Sequence, residues 1–151
     1  MKNLISIISA VLLLTFGAGV NAGSCFTWDE CKVKAEQGDA EAQYELGKMY
    51  KFAMGGIAQD YKKAFEWYSQ AAEQGYDWGQ YAVGWAYYDG TGVPQDYVMA
   101  HMFCNLAAAS GSGMGADVGA RCRGVVAKKM TPSQIQEAQR LAREWMQKHQ
   151  R

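Results

Sequence analysis

The chain has 151 residues, of which 49% are hydrophobic and 20% are charged, so it fits one globular domain and wholesale disorder is excluded. Lys and Arg total 15 and Asp and Glu total 15, and this zero net charge excludes a nucleic-acid binder that relies on bulk positive charge. Five Trp and nine Tyr supply a large amphipathic side-chain surface for this length.

The first segment, residues 1–22, is predicted to be a secretory signal peptide. Lys2 gives it a positive start, an uncharged apolar run follows, and Val20 and Ala22 occupy the two positions that signal peptidase reads. Cleavage after Ala22 removes one Lys and no acid, so the mature chain has 14 basic and 15 acidic residues and a net charge of −1. Lipoprotein processing at Cys25 and an uncleaved anchor are the alternatives. We expect a periplasmic or secreted protein with no other membrane-crossing segment.

The mature chain, residues 23–151, repeats itself with a period near 36 residues. The segment that begins at Ala42 returns from Gly79, 37 residues on, and Gln59-Asp60-Tyr61 returns as Gln95-Asp96-Tyr97, 36 residues on. Self-similarity at this period is the signature of a repeat architecture. We therefore predict two full repeats, a half-repeat before them, and a degenerate repeat with a capping helix after them. Their predicted bounds are about 39–75 and 76–111 for the repeats and about 112–148 for the C-terminal part.

Each unit is predicted to be a pair of helices. The first helix of the first unit has one apolar face, formed by Ala42, Leu46, Met49 and Tyr50. Asp60 and Asp96 are placed to cap the second helices, each contributing roughly 1 kcal/mol. Gly75 and Gly111 stand where a helix end needs a left-handed residue.

A final helix is predicted over about 133–148. Thr131-Pro132-Ser133-Gln134 reads as a capping box with Pro at the first helical position. Its buried stripe is predicted to be Ile135, Ala138, Leu141, Ala142 and Trp145. No strand is predicted, so the fold class is all-α. Two-helix units of this length stack into an α/α solenoid, because one pair cannot cover its own apolar face.

These motifs resemble a Sel1-like repeat over roughly 28–147. In the first unit the resemblance rests on Leu46, Gly47, Tyr50, Gln59, Asp60, Tyr61, Ala64, Trp67, Tyr68, Ala71, Ala72 and Gly75. In the second unit it rests on Gly84, Tyr87, Gly90, Gly92, Val93, Gln95, Asp96, Tyr97, Ala100, Ala107, Ala108 and Gly111. The resemblance implies an α/α solenoid that acts as an adaptor. Bacterial members are typically periplasmic or secreted scaffolds, and some small members look like immunity proteins against toxins.

All four cysteines follow the signal segment, and an even count in an exported chain favours disulfides over metal. Spacing alone allows three pairings. A turn between antiparallel helices is predicted from Ser110 to Gly115, with Gly113 inside it. Cys104 and Cys122 lie nine residues before and after Gly113, so they stand at the same height on the two helices and we pair them. Cys25 and Cys31 are then left to form a second disulfide, which closes a short loop at the N-terminal half-repeat.

Catalytic signals are sparse. His101 and His149 have no metal-ligand or nucleophile neighbour at useful spacing, so we predict solvated or structural roles for both. No Cys-x-x-Cys redox motif is present. We predict no catalytic residues, no metal site and no cofactor.

The opposite face of the first helices carries the candidate binding surface. In stacked two-helix repeats these helices line the concave side, and aromatic residues and Arg are what protein-recognition hot spots use. The alternative is that Tyr81 and Trp85 are ordinary core. The predicted concave stripe consists of Tyr44, Lys48, Lys51, Tyr81, Trp85, Tyr88 and Arg121.

The sequence therefore predicts an exported, non-enzymatic, monomeric adaptor that binds another protein through its concave face, with no nucleic-acid partner. One alternative is a periplasmic immunity protein that neutralises a secreted toxin. A second is an envelope hydrolase or glycan-binding protein, which would need a convergent acid/base pair in a pocket. A host-directed secreted effector differs from the adaptor only in destination.

Overall fold

Helices follow one another along the whole computed structural model, which describes residues 25–109 and 113–149. Within that part there are seven α-helices, a 3-10 turn at Met54–Gly56 and no strand, so the all-α prediction is confirmed. The predicted signal peptide and the predicted helix end at Gly111 lie outside the described residues. The helices are α1 Trp28–Glu36, α2 Ala40–Phe52, α3 Tyr61–Glu73, α4 Asp77–Asp89, α5 Tyr97–Ala109, α6 Gly113–Ala127 and α7 Pro132–His149.

The helices stack as the solenoid prediction requires. Each helix from α1 to α5 packs against the next one in the chain, and α4 also contacts both α2 and α6. α7 packs against α5 and closes the C-terminal end. Helix α1 is thus a half-unit, α2 with α3 and α4 with α5 are the two full units, and α6 belongs to the degenerate unit. We call the side formed by α2, α4 and α6 the inner face; it is the face that the sequence predicts to be concave.

The predicted caps are confirmed. The Asp60 carboxylate accepts a hydrogen bond from the Lys63 backbone N–H at 2.9 Å, and Asp96 accepts one from Met99 at 3.0 Å. Thr131 and Gln134 bond reciprocally at the start of α7, with distances of 2.9 and 3.3 Å. Each cap supplies a side-chain oxygen that accepts a hydrogen bond from a backbone N–H group of the first helical turn, because such a group has no acceptor within the helix.

Glycines set the distances between neighbouring helices. A Cβ built on Gly47 would lie 2.5 Å from the ring of Tyr68, and one built on Gly84 would lie 2.6 Å from Cys104 Sγ. Tyr68 and Cys104 occupy the same register, so the same glycine contact recurs in both full units. Such approaches are closer than any side chain allows, and the glycines are therefore required for packing.

The register of α6 differs by about one turn from the register that the 36-residue repeat period gives, in which Gly115 corresponds to Gly79. Gly119, and not Gly115, meets the backbone N of Ala108, at 2.5 Å from a built Cβ. Gly79 meets Ala72 in the corresponding way at 2.8 Å. Since α6 begins at Gly113, the predicted turn that was to extend to residue 115 is shorter than expected.

Both disulfides join the cysteines that the sequence analysis paired. Cys104 in α5 and Cys122 in α6 are bonded with their Cα atoms 5.6 Å apart, and both are fully buried. Cys25 and Cys31 are bonded with a Cα separation of 5.0 Å. The first bond links the second full unit to the degenerate unit, and the second holds the segment before α1 against that helix.

His101 is a residue of the buried core. Its side chain is 2% exposed, and within the described residues its Nδ1 atom has no hydrogen-bond partner. Burial lowers the pKa of its imidazole, and the nearby positive charge of Arg123 lowers the pKa further. In the first unit the matching residue is Phe65, whose ring packs edge-to-face on Tyr87 at 5.4 Å.

Reduction of the disulfides should lower the melting temperature. Replacing Cys104 and Cys122 by Ser in the mature chain should reduce the free energy of unfolding by about 3 kcal/mol, because the bond closes a loop in the unfolded chain. Denaturant unfolding followed by circular dichroism measures this change. The matched pair Cys25→Ser and Cys31→Ser closes a shorter loop and should cost less. Equal stability of the oxidised wild type and the Cys104/Cys122 variant would contradict the prediction.

Exchanging Ala and Gly at the left-handed C-terminal ends of α2 and α4 should show which of the two ends carries backbone strain. Ala53 ends α2 in the left-handed conformation with φ of 54°, whereas Gly90 ends α4 in the same way with φ of 70°. A left-handed residue with a Cβ costs roughly 1–2 kcal/mol, partly offset by the extra freedom of unfolded glycine. We expect Ala53→Gly to raise the free energy of unfolding by about 0.5–1 kcal/mol and Gly90→Ala to lower it by about 1 kcal/mol. A loss of stability in Ala53→Gly would show that its left-handed cap is unstrained.

His101 should make stability fall in mild acid. Its pKa is lower in the folded state, so below its ordinary value near 6.5 the unfolded chain binds the proton more strongly. The stability present above pH 6.5 is then lost as the pH falls toward the folded-state pKa. His101→Phe, which copies the first unit, should remove this part of the loss between about pH 7.5 and 5.5. Urea unfolding at several pH values tests it, with His149→Phe as the control that keeps the loss.

Candidate functional site

A groove of about 350 Å³ lies between α2 and α4 on the inner face. The structure brings five of the seven predicted stripe residues together in it: Tyr44, Lys48, Lys51, Tyr81 and Trp85. The lining is completed by Phe52, Tyr68, Ala82 and Asp89, which the sequence analysis did not include. Five aromatic rings therefore surround one small groove.

The α4 wall of the groove belongs to a longer line of aromatic rings, which we call the aromatic ridge: Trp78, Tyr81, Trp85 and Tyr88. Their positions recur on one helix face, and successive ring centroids are 6.0, 6.2 and 5.1 Å apart. Successive ring planes are nearly perpendicular, at 89°, 81° and 85°. This edge-to-face arrangement is the favourable one for aromatic pairs, so the ridge holds its own side chains in place.

Tyr44 connects the α2 wall to the floor and to the ridge. Its ring centroid lies 5.7 Å from that of Tyr68 and 6.2 Å from that of Trp78. Burial, followed by the negative charge of Glu45, raises the pKa of the Tyr44 hydroxyl to about 12. Burial likewise raises the pKa of Tyr68 well above its usual value. Both hydroxyls stay protonated at neutral pH and can donate hydrogen bonds.

The charged groups of the groove nearly balance. Lys48 Nζ lies 2.8 Å from both carboxylate oxygens of Glu45 and 5.3 Å from the centre of the Tyr44 ring. Lys51 lies over the ring of Phe52 at 5.4 Å, and Asp89 stands on the α4 wall. Within residues 25–109 and 113–149, neither Lys51 nor Asp89 forms an ion pair. The lysines thus already cover two of the rings.

Two predicted stripe residues lie outside the groove. The ring of Tyr88 packs between Trp85 and Tyr97, at 5.1 and 5.6 Å, and it extends the ridge toward α5. Arg121 is exposed on α6 and does not line the groove. Because α6 is displaced by about one turn, Arg121 takes the register of Tyr81 and not that of Trp85, which the 36-residue repeat period would give it.

Trp85 has both of the roles that the sequence analysis weighed. It lines the groove, and it also packs against the buried cluster that contains Cys104 and Cys122. Its indole Nε1 is buried without a hydrogen-bond partner among the described residues. The ring is therefore held by packing alone and its position depends on the neighbouring unit.

The groove-lining residues that the sequence analysis did not include differ in how clearly the sequence pattern indicates them. Phe52 and Asp89 follow directly after the stripe positions Lys51 and Tyr88, so a wider stripe would have included them. Tyr68 belongs to a second helix, and it reaches the floor because Gly47 leaves space beside it. No periodicity within the first helices signals that contribution.

A second cleft, of about 310 Å³, lies where the C-terminal ends of α3, α5 and α7 meet. The ring of His149 stacks on that of Trp145 at 3.8 Å beside it. None of the predicted stripe residues lines this cleft. Its lining residues are Glu73, Gln74, Gly75, Gln80, Leu106, Ala109, Trp145, Met146 and His149.

The described part of the chain has neither a cluster of metal ligands nor a helix that could cross a membrane. Residues 25–109 and 113–149 contain no group of three or more His, Cys, Asp or Glu side chains that could hold a metal ion. No helix in these two ranges has the length and apolar character that crossing a membrane requires.

Comparisons with known proteins identify the repeats. The Sel1 repeat family profile matches residues 40–76 and 79–112. The chain is 33% identical to a Sel1 repeat protein from Oxalobacter formigenes, with a TM-score of 0.57; the match covers 64% of this chain and 69% of that one.

Two larger proteins are also similar. A protective antigen of uropathogenic Escherichia coli strains, which displays an SLR fold, is 29% identical with a TM-score of 0.73, over 81% of this chain and 25% of that one. A component of an ERAD-associated E3 ubiquitin-protein ligase from Arabidopsis thaliana, HRD3B, is 32% identical over 76 residues. That match covers 50% of this chain and only 11% of HRD3B. The repeats, their helical packing and these similarities together show that the chain belongs to the Sel1-like repeat proteins.

Proposed function

We propose that the protein is an exported, non-enzymatic adaptor that binds another protein in the groove between α2 and α4. Sel1-repeat proteins generally act as protein–protein interaction modules, and their fold is typically a non-enzymatic scaffold. The observation that carries the proposal is the clustering of five aromatic rings in one groove, with Lys51 and Asp89 at its rim. Rigid aromatic side chains of this kind dominate the energy of protein recognition.

Export is supported by the disulfides. Two buried or nearly buried disulfides belong to an oxidising compartment, where they form and persist. Lipoprotein processing would attach a lipid to the sulfur of Cys25, but that sulfur is bonded to Cys31. The disulfide therefore favours cleavage after Ala22 over the lipoprotein alternative.

Removal of two aromatic side chains from the groove should weaken partner binding without unfolding the protein. Mature protein, residues 23–151, is used to capture partners from the periplasm and medium of the source organism, and mass spectrometry identifies them. We expect Tyr81→Ala with Trp85→Ala to weaken capture of a stoichiometric partner at least about tenfold, because two neighbouring anchors are removed. Circular dichroism confirms that helicity is retained.

Two matched controls make this result specific. Trp145→Ala removes the same type of side chain at the second cleft and should leave capture unchanged. Arg121→Ala tests a predicted stripe residue outside the groove and should also have little effect. Equal capture by the groove variant and the wild type would refute the proposal. A captured toxic enzyme would make the adaptor an immunity protein.

A further inference from the structure

We propose that the exposed side of α6 binds an amphipathic α-helix of a partner protein, and that this helix carries acidic residues in its first turn. The surface is separate from the groove between α2 and α4, so the inference goes beyond the proposed function. We call this surface the α6 face. It consists of the exposed residues Asp117, Ala120, Arg121, Gly124, Val125 and Lys128, none of which lines the groove.

A glycine on the first helix of each full unit receives the second helix of the same unit. A Cβ built on Gly47 would lie 2.5 Å from the ring of Tyr68. A Cβ built on Gly84 would lie 2.6 Å from Cys104 Sγ. In both units a backbone carbonyl oxygen of the second helix also lies 3.2 Å from the built Cβ. The same contact therefore docks an α-helix twice in this chain.

Gly124 is the third glycine of this series. Gly79 and Gly119 make matching contacts with the preceding unit. Gly84 stands five residues after the first of them and Gly124 five residues after the second. Outside its own stretch of helix, no atom of the described residues lies within 4 Å of a Cβ built on Gly124. The position that receives a second helix in both full units is thus open in α6.

Helix α7 does not take this position. It packs against α5, where Ala138 and Ala142 are completely buried, and its C-terminal end meets the end of α3 at the second cleft. Helices α1 to α5 likewise bury their apolar sides within the stack. The described part of the chain therefore has no spare helix for the α6 face, and a second copy would have to release one of its own. The occupant is a helix of another protein.

The full units also define the direction of the docked helix. The backbone N–H of Asp60, before α3, donates to the carbonyl oxygen of Tyr50 near the end of α2, at 3.0 Å. The N–H of Asp96, before α5, donates to that of Tyr87 near the end of α4, also at 3.0 Å. Each second helix thus begins beside the C-terminal end of the first. A helix docked in the same way on α6 begins beside Lys128.

Positive charge at this end of α6 selects an acidic partner. Lys128 and Lys129 are exposed, and neither forms an ion pair within the described ranges 25–109 and 113–149. Asp117 and Arg121 have opposite charges four residues apart, so they offset each other. Acidic residues in the first turn of the docked helix lie near the two lysines, and they also interact favourably with the N-terminus of their own helix.

A peptide that copies α3 provides the probe. Residues 60–75 include α3 with its cap, and α3 docks on the matching side of α2. The acidic peptide has Glu in place of Lys62 and Lys63, and the unaltered peptide is its control. In a nuclear magnetic resonance titration of the intact mature protein, we expect the acidic peptide to bind with a Kd below about 1 mM. The unaltered peptide should bind about tenfold more weakly, because its lysines are repelled by Lys128 and Lys129.

The positions of the shifted signals locate the peptide. The backbone amide signals of Ala120 and Gly124 should shift on titration, whereas the indole signal of Trp28, in the half-unit at the other end of the stack, should not. Absence of a shift at Gly124 would overturn the inference, and so would equal affinity of the two peptides.

Gly124→Ala gives a result that a folding defect cannot imitate. Alanine at this open helical position should raise the folded-to-unfolded equilibrium constant about two- to fivefold, because glycine is the poorer helix former. It should nevertheless weaken binding of the acidic peptide at least about tenfold, because its Cβ occupies space that the docked helix needs. Gln136→Ala, on the exposed side of α7, is the matched control and should leave binding unchanged. Unchanged binding in Gly124→Ala would contradict the inference.

Two further measurements test the charge and the identity of the occupant. Lys128→Glu together with Lys129→Glu should reverse the preference, so that the unaltered peptide binds more tightly than the acidic one. Sedimentation of the mature chain should show no dimer that Gly124→Ala abolishes, since such a dimer would make a second copy the occupant and would overturn the proposal. Because no arm of this test uses the groove or its captured partner, the inference and the proposed function stand or fail separately.

Discussion

Close approach of helices at glycine positions is the constraint on which the rest of the structure depends. Gly47 and Gly84 let the second helix of each unit come so near that Tyr68 and Cys104 fill the space where a side chain would otherwise stand. Tyr68 thereby reaches the floor of the groove, and Cys104 reaches the position from which it bonds Cys122. One packing rule thus builds part of the groove in one unit and a covalent link in the next.

The aromatic ridge packs against the core and, under the proposed function, also forms one wall of the binding groove. Its rings hold one another edge-to-face, and Tyr81, Trp85 and Tyr88 also cover the buried cluster around the Cys104–Cys122 bond. A binding surface built from such side chains is rigid before a partner arrives, so little conformational freedom is lost on binding. The same coupling means that substitutions in the ridge affect stability as well as affinity. Residues at the rim, such as Lys51 and Asp89, separate the two effects better.

The two full units differ at one matching position of their second helices. In the first unit Phe65 packs on Tyr87, whereas in the second unit His101 stands at the matching position near Arg123 and is buried with its Nδ1 unpaired within the described residues. The degenerate unit also differs from the full units. Helix α6 is displaced by about one turn, so that Gly119 makes the contact that the repeat period assigns to Gly115. The solenoid tolerates such local exchanges because each unit contacts only its neighbours.

Local patterns determined the helices, their caps and the cysteine pairing. Asp60, Asp96 and Thr131 cap the predicted helices because capping depends on residues three positions apart in the chain. The stripe of first-helix residues also located most of the groove, since helical periodicity places them on one face. Only the tertiary structure decided that Tyr68 enters the groove, that Tyr88 turns toward Tyr97 and that Arg121 lies outside. Those outcomes depend on how far one helix is displaced along its neighbour, a distance set by contacts between units that no period within a single helix encodes.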